Sequence, residues 1–208
     1  MSVLTIDVVQ KIYKYYAPFY YFIFGFSLEH GRKVLGATLS QQRFNNILEI
    51  GVGTGMLLRH YPFECQVVGV DICEPILALA QKEANKIAHP SISLMMMDAE
   101  NMHFPDESFD CVVLPYVLSV TPDPEALIAE ARRVCKNGGH IFILNHFSGG
   151  AFLYRAFECI LAKFPSLIGF RSDFCFKKYV LDQPWEILDV CAVNFGGLSK
   201  FVTVRNVK

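Results

Sequence analysis

The chain has 208 residues, of which 52% are hydrophobic and 19% charged, enough to bury one sizeable core with little material left for a second domain. A formal net charge of -1 gives no global reason to expect nucleic acid or another polyanion as partner. Seven scattered cysteines, at 65, 73, 111, 135, 159, 175 and 191, contain no CxxC pair; neither a disulfide framework nor a metal site is suggested, and a reducing, cytoplasmic setting fits best.

The average charge hides a pattern. Residues 1–46 carry five Lys/Arg against two Asp/Glu, residues 47–146 six against thirteen, and residues 147–208 eight against five. Two basic flanks therefore surround an acidic centre. No basic segment followed by an apolar run and a cleavage site marks a leader, so the protein is expected to stay where it is made. The uncharged apolar stretch 17–28 is well short of the roughly 20 residues that a membrane-spanning helix needs.

In chain order, 6–16 and 29–39 read as helices joined by an aromatic segment, Ala17-Pro18-Phe19-Tyr20-Tyr21-Phe22-Ile23-Phe24-Gly25-Phe26. From residue 47 onward short apolar runs alternate with helical patterns, the signature of βαβ units and a parallel sheet. Strands are predicted over 47–50, 66–70, 91–96, 109–114, 140–145 and 201–207. Helices are predicted over 74–86, with Pro75 in the first turn, and over 124–134, behind Asp123 and ending at the Asn137-Gly138-Gly139 stop. Residues 147–178 form an apolar and aromatic insertion punctuated by basic side chains.

The loop Glu49-Ile50-Gly51-Val52-Gly53-Thr54-Gly55 follows a strand and precedes a helical pattern, where glycines let a ligand approach the backbone and a helix N-terminus. A tight strand-to-helix turn is the bland reading. The dinucleotide fingerprint G-x-G-x-x-G is the nearest rival, but here the third glycine falls one position earlier. Asp71 ends the second strand, where a carboxylate can accept from both hydroxyls of a ribose, with Ile72 beside it. Asp98-Ala99 follows the third, where a carboxylate can accept from an exocyclic amine. A short-chain dehydrogenase would need Tyr-x-x-x-Lys, and none of the nine tyrosines has Lys four residues later.

In order, Glu49-x-Gly51-x-Gly53-x-Gly55, Val-Gly-Val-Asp71, Asp98-Ala99-Glu100, Pro105-x-x-Ser108-Phe109-Asp110 and Val134-Cys135-Lys136-x-Gly138-Gly139 resemble the successive motifs of class I S-adenosylmethionine (SAM)-dependent methyltransferases. The resemblance covers about residues 45 to 146. It implies SAM as cofactor, with Glu49, Gly51, Gly53 and Gly55 at its amino-acid portion, Asp71 and Ile72 at the ribose, Asp98 and Ala99 at adenine, and Tyr116 in the wall after the fourth strand. The implied fold is a Rossmann-like α/β domain with a mostly parallel seven-stranded sheet and helices on both faces. One domain over 1–208 is expected: a helical aromatic lid (1–46), a SAM-binding core (47–146), and an insertion with the last strands (147–208).

The acceptor must be read outside that core. Tyr13-Lys14-Tyr15-Tyr16-Ala17-Pro18-Phe19-Tyr20-Tyr21, Gly31-Arg32, Tyr116-Val117-Leu118-Ser119-Val120-Thr121-Pro122-Asp123-Pro124 and Asn145-His146-Phe147 resemble soluble bacterial phosphatidylethanolamine N-methyltransferases. These are similar in turn to the ubiquinone/menaquinone C-methyltransferases. One departure is Tyr20-Tyr21, where relatives often have Tyr-Asp. The resemblance implies a phospholipid substrate and peripheral association with an anionic membrane, which basic flanks interleaved with aromatics also suit. Rings that pack as a lid over the cofactor, beside a solvated lysine face, remain the competing reading. Tyr16, Tyr20 and His146 are candidates to take or fix the amine proton, although His146 reads equally as an ordinary strand-end residue. Arg155, Arg171, Lys177 and Lys178 are candidates for lipid phosphate. Methylation of a quinone precursor, or of another small molecule, is the alternative; SAM binding without turnover is an alternative of another class.

Overall fold

A computed structural model describes residue 5 and residues 28–148, 174–194, 197 and 199–208. Helix α1 (Glu29–Ser40) precedes β1 (Asn46–Ile50) and β2 (Gln66–Asp71). Helix α2 (Glu74–Ile87) leads to β3 (Ile92–Met96), and β4 (Phe109–Pro115) follows. Helix α3 (Pro124–Val134) runs into β5 (Cys135–His146), and the chain ends with β6 (Glu186–Val193) and β7 (Ser199–Arg205). The seven strands form one sheet in the order β3-β2-β1-β4-β5-β7-β6. β1 to β5 pair in parallel, and β7 runs antiparallel between β5 and β6.

Sheet and helices agree with the mostly parallel architecture read from the sequence. Strands β1 and β4 are covered on both faces, which is why they read as unbroken apolar runs. Leu35 and Leu39 of α1 and Ala80 and Ala84 of α2 pack on one face with Ile47, Val67 and Phe142. Leu127, Ile128, Ala131 and Val134 of α3 pack on the other with Leu48, Val112 and Ile143. Each fully buried Leu or Ile in these layers contributes about 1.5–3 kcal/mol. The predicted helix over 6–16, the aromatic segment and most of the insertion lie outside the described residues.

Three expectations need correction. The helix predicted over 124–134 stands with those bounds as α3 (Pro124–Val134), but the Asn137-Gly138-Gly139 turn is not what stops it. Pairing passes from Phe109↔Cys135 to Cys111↔His140, so residues 136–139 make an excursion inside β5, with Gly138 at φ +75. Asn206, fully buried, secures that excursion: its side-chain amide donates to the carbonyls of Arg132 and Cys135, both at 2.9 Å. Secondly, β6 went unread. It is an edge strand with Leu188, Asp189 and Val190 all exposed, so burial there imposes no alternation on the sequence. Thirdly, β7 ends at Arg205 rather than 207, because Asn206 turns inward to serve α3 and β5.

Candidate active site

Strand order reverses between β1 and β4, and an open cleft of about 810 Å³ lies at the carboxyl ends of the strands beside that switch point. Gly51, Gly53, Asp71, Ile72, Asp98, Ala99 and Tyr116 all line it. The four loops that carry them are separated by many residues in sequence and brought together only by the parallel pairing of β1, β2, β3 and β4.

The glycine loop is held by the neighbouring strand: the N–H groups of Gly51 and Val52 donate to the Val70 carbonyl at 2.8 and 3.0 Å. Gly51 adopts φ +76, and a Cβ there would fall 2.7 Å from Val117 Cγ2. At Gly53, φ +56, a Cβ would meet nothing closer than the Gly51 carbonyl at 3.9 Å. That open space along the backbone is a cradle that a ligand, rather than a side chain, can fill.

Asp71 joins the loop to the next element. Its Oδ2 accepts the Gly53 N–H and its Oδ1 the Cys73 N–H, both at 2.9 Å. A carboxylate has about four lone-pair positions, so each oxygen retains capacity for a ribose hydroxyl. Burial pushes the Asp71 carboxyl above its ordinary range, against the pull of the N–H donors of Cys73, Gly53 and Ile72. Asp98 Oδ1 accepts the Glu100 N–H at 2.9 Å, an Asx turn that aims the carboxyl toward the cleft. Ile72, Met97, Val117 and Leu127 add apolar walls that suit the faces of a flat ring. Two acceptor carboxylates, apolar walls and a bare backbone at Gly53 fit a nucleoside carrying an amino acid, as SAM does.

Glu49 and Gly55 do not line the cleft. A Cβ on Gly55 would lie 2.9 Å from Leu58 Cδ1 and 3.0 Å from Ala80 Cα, so this third glycine permits close packing of α2 on the loop rather than ligand contact. Glu49 lies beneath the loop, 1% exposed, and its Oε2 has no hydrogen-bond partner among the described residues. Burial pushes its carboxyl up to about 8, only partly offset by the nearby Tyr61 hydroxyl and Arg32 guanidinium. The folded, ligand-free protein therefore retains a proton that the unfolded chain releases near 4.5. The stability this contributes is present below that pH and lost as pH rises to about 8. The Tm of the wild type should accordingly fall relative to that of Glu49→Gln across this window, the stability lost being on the order of 1 kcal/mol per pH unit. Parallel Tm curves for the two proteins would refute a protonated Glu49.

His146 ends β5, opposite Ser199 of β7, and is not part of the cleft lining. Lys177 pairs with Asp182 at 2.5 Å and Lys178 with Glu125 at 2.6 Å, all four side chains being at least half exposed. Tyr16, Tyr20, Arg155 and Arg171 lie outside the described residues. Sequence reading missed two polar residues. Glu100 Oε1 accepts from the Thr121 hydroxyl at 2.5 Å and the Asp123 N–H at 2.7 Å, pinning the loop after β4 over the cleft. Asn194 Nδ2 donates to Tyr116 Oη at 2.9 Å. No local spacing could have revealed either contact, since the partners are 21 to 78 residues apart.

Residues 48–143 match the family described as Methyltransferase domain. The chain is 36% identical to a phosphatidylethanolamine N-methyltransferase of Cereibacter sphaeroides, over 96% of this chain and 98% of the relative. It is 29% identical to a ubiquinone/menaquinone biosynthesis C-methyltransferase of Geobacter sulfurreducens, over 67% of this chain and 57% of that protein. A SAM-dependent methyltransferase from Thermotoga maritima has the same fold, with TM-score 0.71 and 19% identity over 97% of this chain and 100% of its own.

Proposed function

Because the chain belongs to the class I SAM-dependent methyltransferases, we propose that it transfers methyl groups stepwise to the amine of phosphatidylethanolamine, as a peripheral protein on the cytoplasmic face of the membrane. One observation carries this reading: the similarity to the Cereibacter enzyme spans 200 residues, well beyond the shared core at 48–143, and so includes the flanks where an acceptor must be recognised. Among the described residues no helix is long and apolar enough to cross a membrane.

When bound, SAM supplies an electrophilic methyl on a sulfonium for in-line displacement. The chain's own task is then to hold donor and acceptor on axis and exclude water. Asp71 would accept from the ribose hydroxyls of the nucleoside and Asp98 from its exocyclic amine. Glu49, ionised once a cation lies above it, balances the donor's ammonium, so donor affinity rises with pH toward 8. Tyr16, Tyr20 and His146 are proposed to take or fix the amine proton, and the tyrosine faces to hold the methylated ammonium by cation–π attraction of about 0.5–2 kcal/mol each. Arg155 and Arg171 are proposed to bind the lipid phosphate bidentately. Lys177 and Lys178 can join them only by leaving their exposed ion pairs with Asp182 and Glu125, which solvent screening keeps weak.

Labelled methyl transfer from SAM to vesicles of phosphatidylethanolamine plus anionic lipid tests the proposal, with vesicle-free controls and separated products. Mono-, di- and trimethylated ethanolamine lipid is the expected result. Label entering a quinone precursor instead would favour the second reading, which the Geobacter relative supports. Donor binding without any labelled product would leave a non-catalytic SAM-binding protein.

A further inference from the structure

Asn194 follows β6 and joins three parts of the fold that are distant in sequence. Its Oδ1 accepts the Gly31 N–H at 2.8 Å, and its Nδ2 donates to Tyr116 Oη at 2.9 Å and Ser199 Oγ at 3.0 Å. Its backbone N–H donates to His30 Nδ1 at 3.2 Å. Gly31 lies in the first turn of α1, where N–H groups have no intrahelical partner. Leu28, at the N-cap, offers no side-chain cap, so Asn194 supplies from across the fold what a local Ser or Asp would otherwise supply.

Tyr116 is the other half of this junction and part of the cleft wall. It holds φ +61, as Asn194 holds φ +64, a left-handed conformation that is unfavourable in a residue with a Cβ. Its N–H donates to the Leu144 carbonyl at 2.6 Å. Its phenol sits over Gly31, where a Cβ would approach Oη to 2.8 Å. The next residue, Val117, packs against Gly51 so closely that a Cβ there would clash at 2.7 Å. A continuous line of contacts thus runs from α1 through Asn194, Tyr116 and Val117 to the glycine loop.

We infer that Asn194 is a positioning residue for donor binding: it sets the Tyr116–Val117 wall against the Gly51 loop and ties that wall to the start of α1, so that docking of α1 and filling of the cleft stabilise each other. The inference rests on the assignment of the cleft to SAM. Because coupling is reciprocal, it has a readout apart from turnover: SAM should slow hydrogen exchange of the α1 amides.

Asn194→Gly tolerates the positive φ and removes the three side-chain bonds. Asn194→Asp keeps an acceptor for the Gly31 N–H and can accept from the hydroxyls of Tyr116 and Ser199. By calorimetric titration with SAM, Asn194→Gly should bind about tenfold more weakly and Asn194→Asp within about threefold of wild type. The SAM-dependent protection of α1 should vanish in the glycine variant. The Tyr116 phenol, pushed up to about 12 mainly by burial and lowered by the Asn194 donor, should titrate still higher in Asn194→Gly, read from its ¹³Cζ resonance. Wild-type affinity and α1 protection in Asn194→Gly, or equal weakening in the glycine and aspartate variants, would overturn the inference. If Asn194→Gly does not fold, Gly31→Ala takes its place. Its Cβ crowds Tyr116 Oη and Asn194 Oδ1, and undiminished SAM binding there overturns the inference equally. Failure of the wild type to bind SAM would instead remove the donor site itself.

Discussion

Replacing Asp71 with alanine should lower SAM affinity by about two to three orders of magnitude while leaving the fold intact. Two bonds from an ionised carboxylate to the donor's ribose would be lost, each charge-assisted bond being worth about 1.5–3 kcal/mol. A second loss adds to the first. Asp71 bridges the Gly53 N–H and the Cys73 N–H, so the same side chain shapes the glycine loop and the approach to α2. Asp71→Asn should recover little, because an amide turned toward either N–H presents a donor to a donor. Calorimetric titration with SAM measures the effect, with far-ultraviolet circular dichroism as the folding control. Affinity within about fivefold of wild type in both variants would show that the carboxylate does not hold the donor.

The largest loss of stability is expected at Arg133, in the last turn of α3. Its Nη1 donates to the Phe104 carbonyl and Asp106 Oδ1, both at 2.7 Å, and its Nη2 to the Met102 carbonyl and Glu130 Oε2, both at 2.9 Å. Nε donates to Glu130 Oε1, and Glu130 Oε2 accepts the Met102 N–H, again at 2.7 Å. One guanidinium thus organises the connection between β3 and β4, whose Met102 and Phe109 enter the core. Arg133→Met leaves two backbone carbonyls and two carboxylates without that donor, a loss of about 3 kcal/mol. For a chain of this size it corresponds to a Tm lower by about 6–12 °C in thermal unfolding. Arg133→Lys should restore little, since a point charge cannot span the same fork. A Tm within about 2 °C of wild type for Arg133→Met would show that the connection is held by other means.

Acid titration gives the sign of the same interaction. Arg133 holds the Glu130 carboxyl below its ordinary value, so the stability it contributes is present above that value and lost as pH falls through the lowered one. Arg133→Met should flatten this acid-side loss.

The parallel core and the cleft lining were legible because their signals are local. Gly51 and Gly53 sit one turn beyond β1, Asp71 at the end of β2 and Asp98 just past β3, and a βαβ fold delivers strand ends to one edge of the sheet whatever lies between. Gly55 shows the limit of that logic. Its spacing matched the motif, yet its neighbours are Ala80 and Leu58, so packing rather than ligand approach excludes a side chain.

β6 was illegible for a related reason: at a sheet edge neither face is fully covered, and Leu188 and Val190 remain exposed with nothing to impose a period on the chain. Residue order alone thus determined the parallel sheet, the glycine loop and the acids that line the cleft, because backbone geometry and the two-residue period of strands act over a few positions. Only the tertiary structure decided that Asn194 caps a helix 163 residues away, that Glu100 pins the loop at Thr121 and that Glu49 lies buried with no partner for Oε2 among the described residues. Hydrogen bonds and desolvation depend on which groups meet in space, and no spacing along the chain records those meetings.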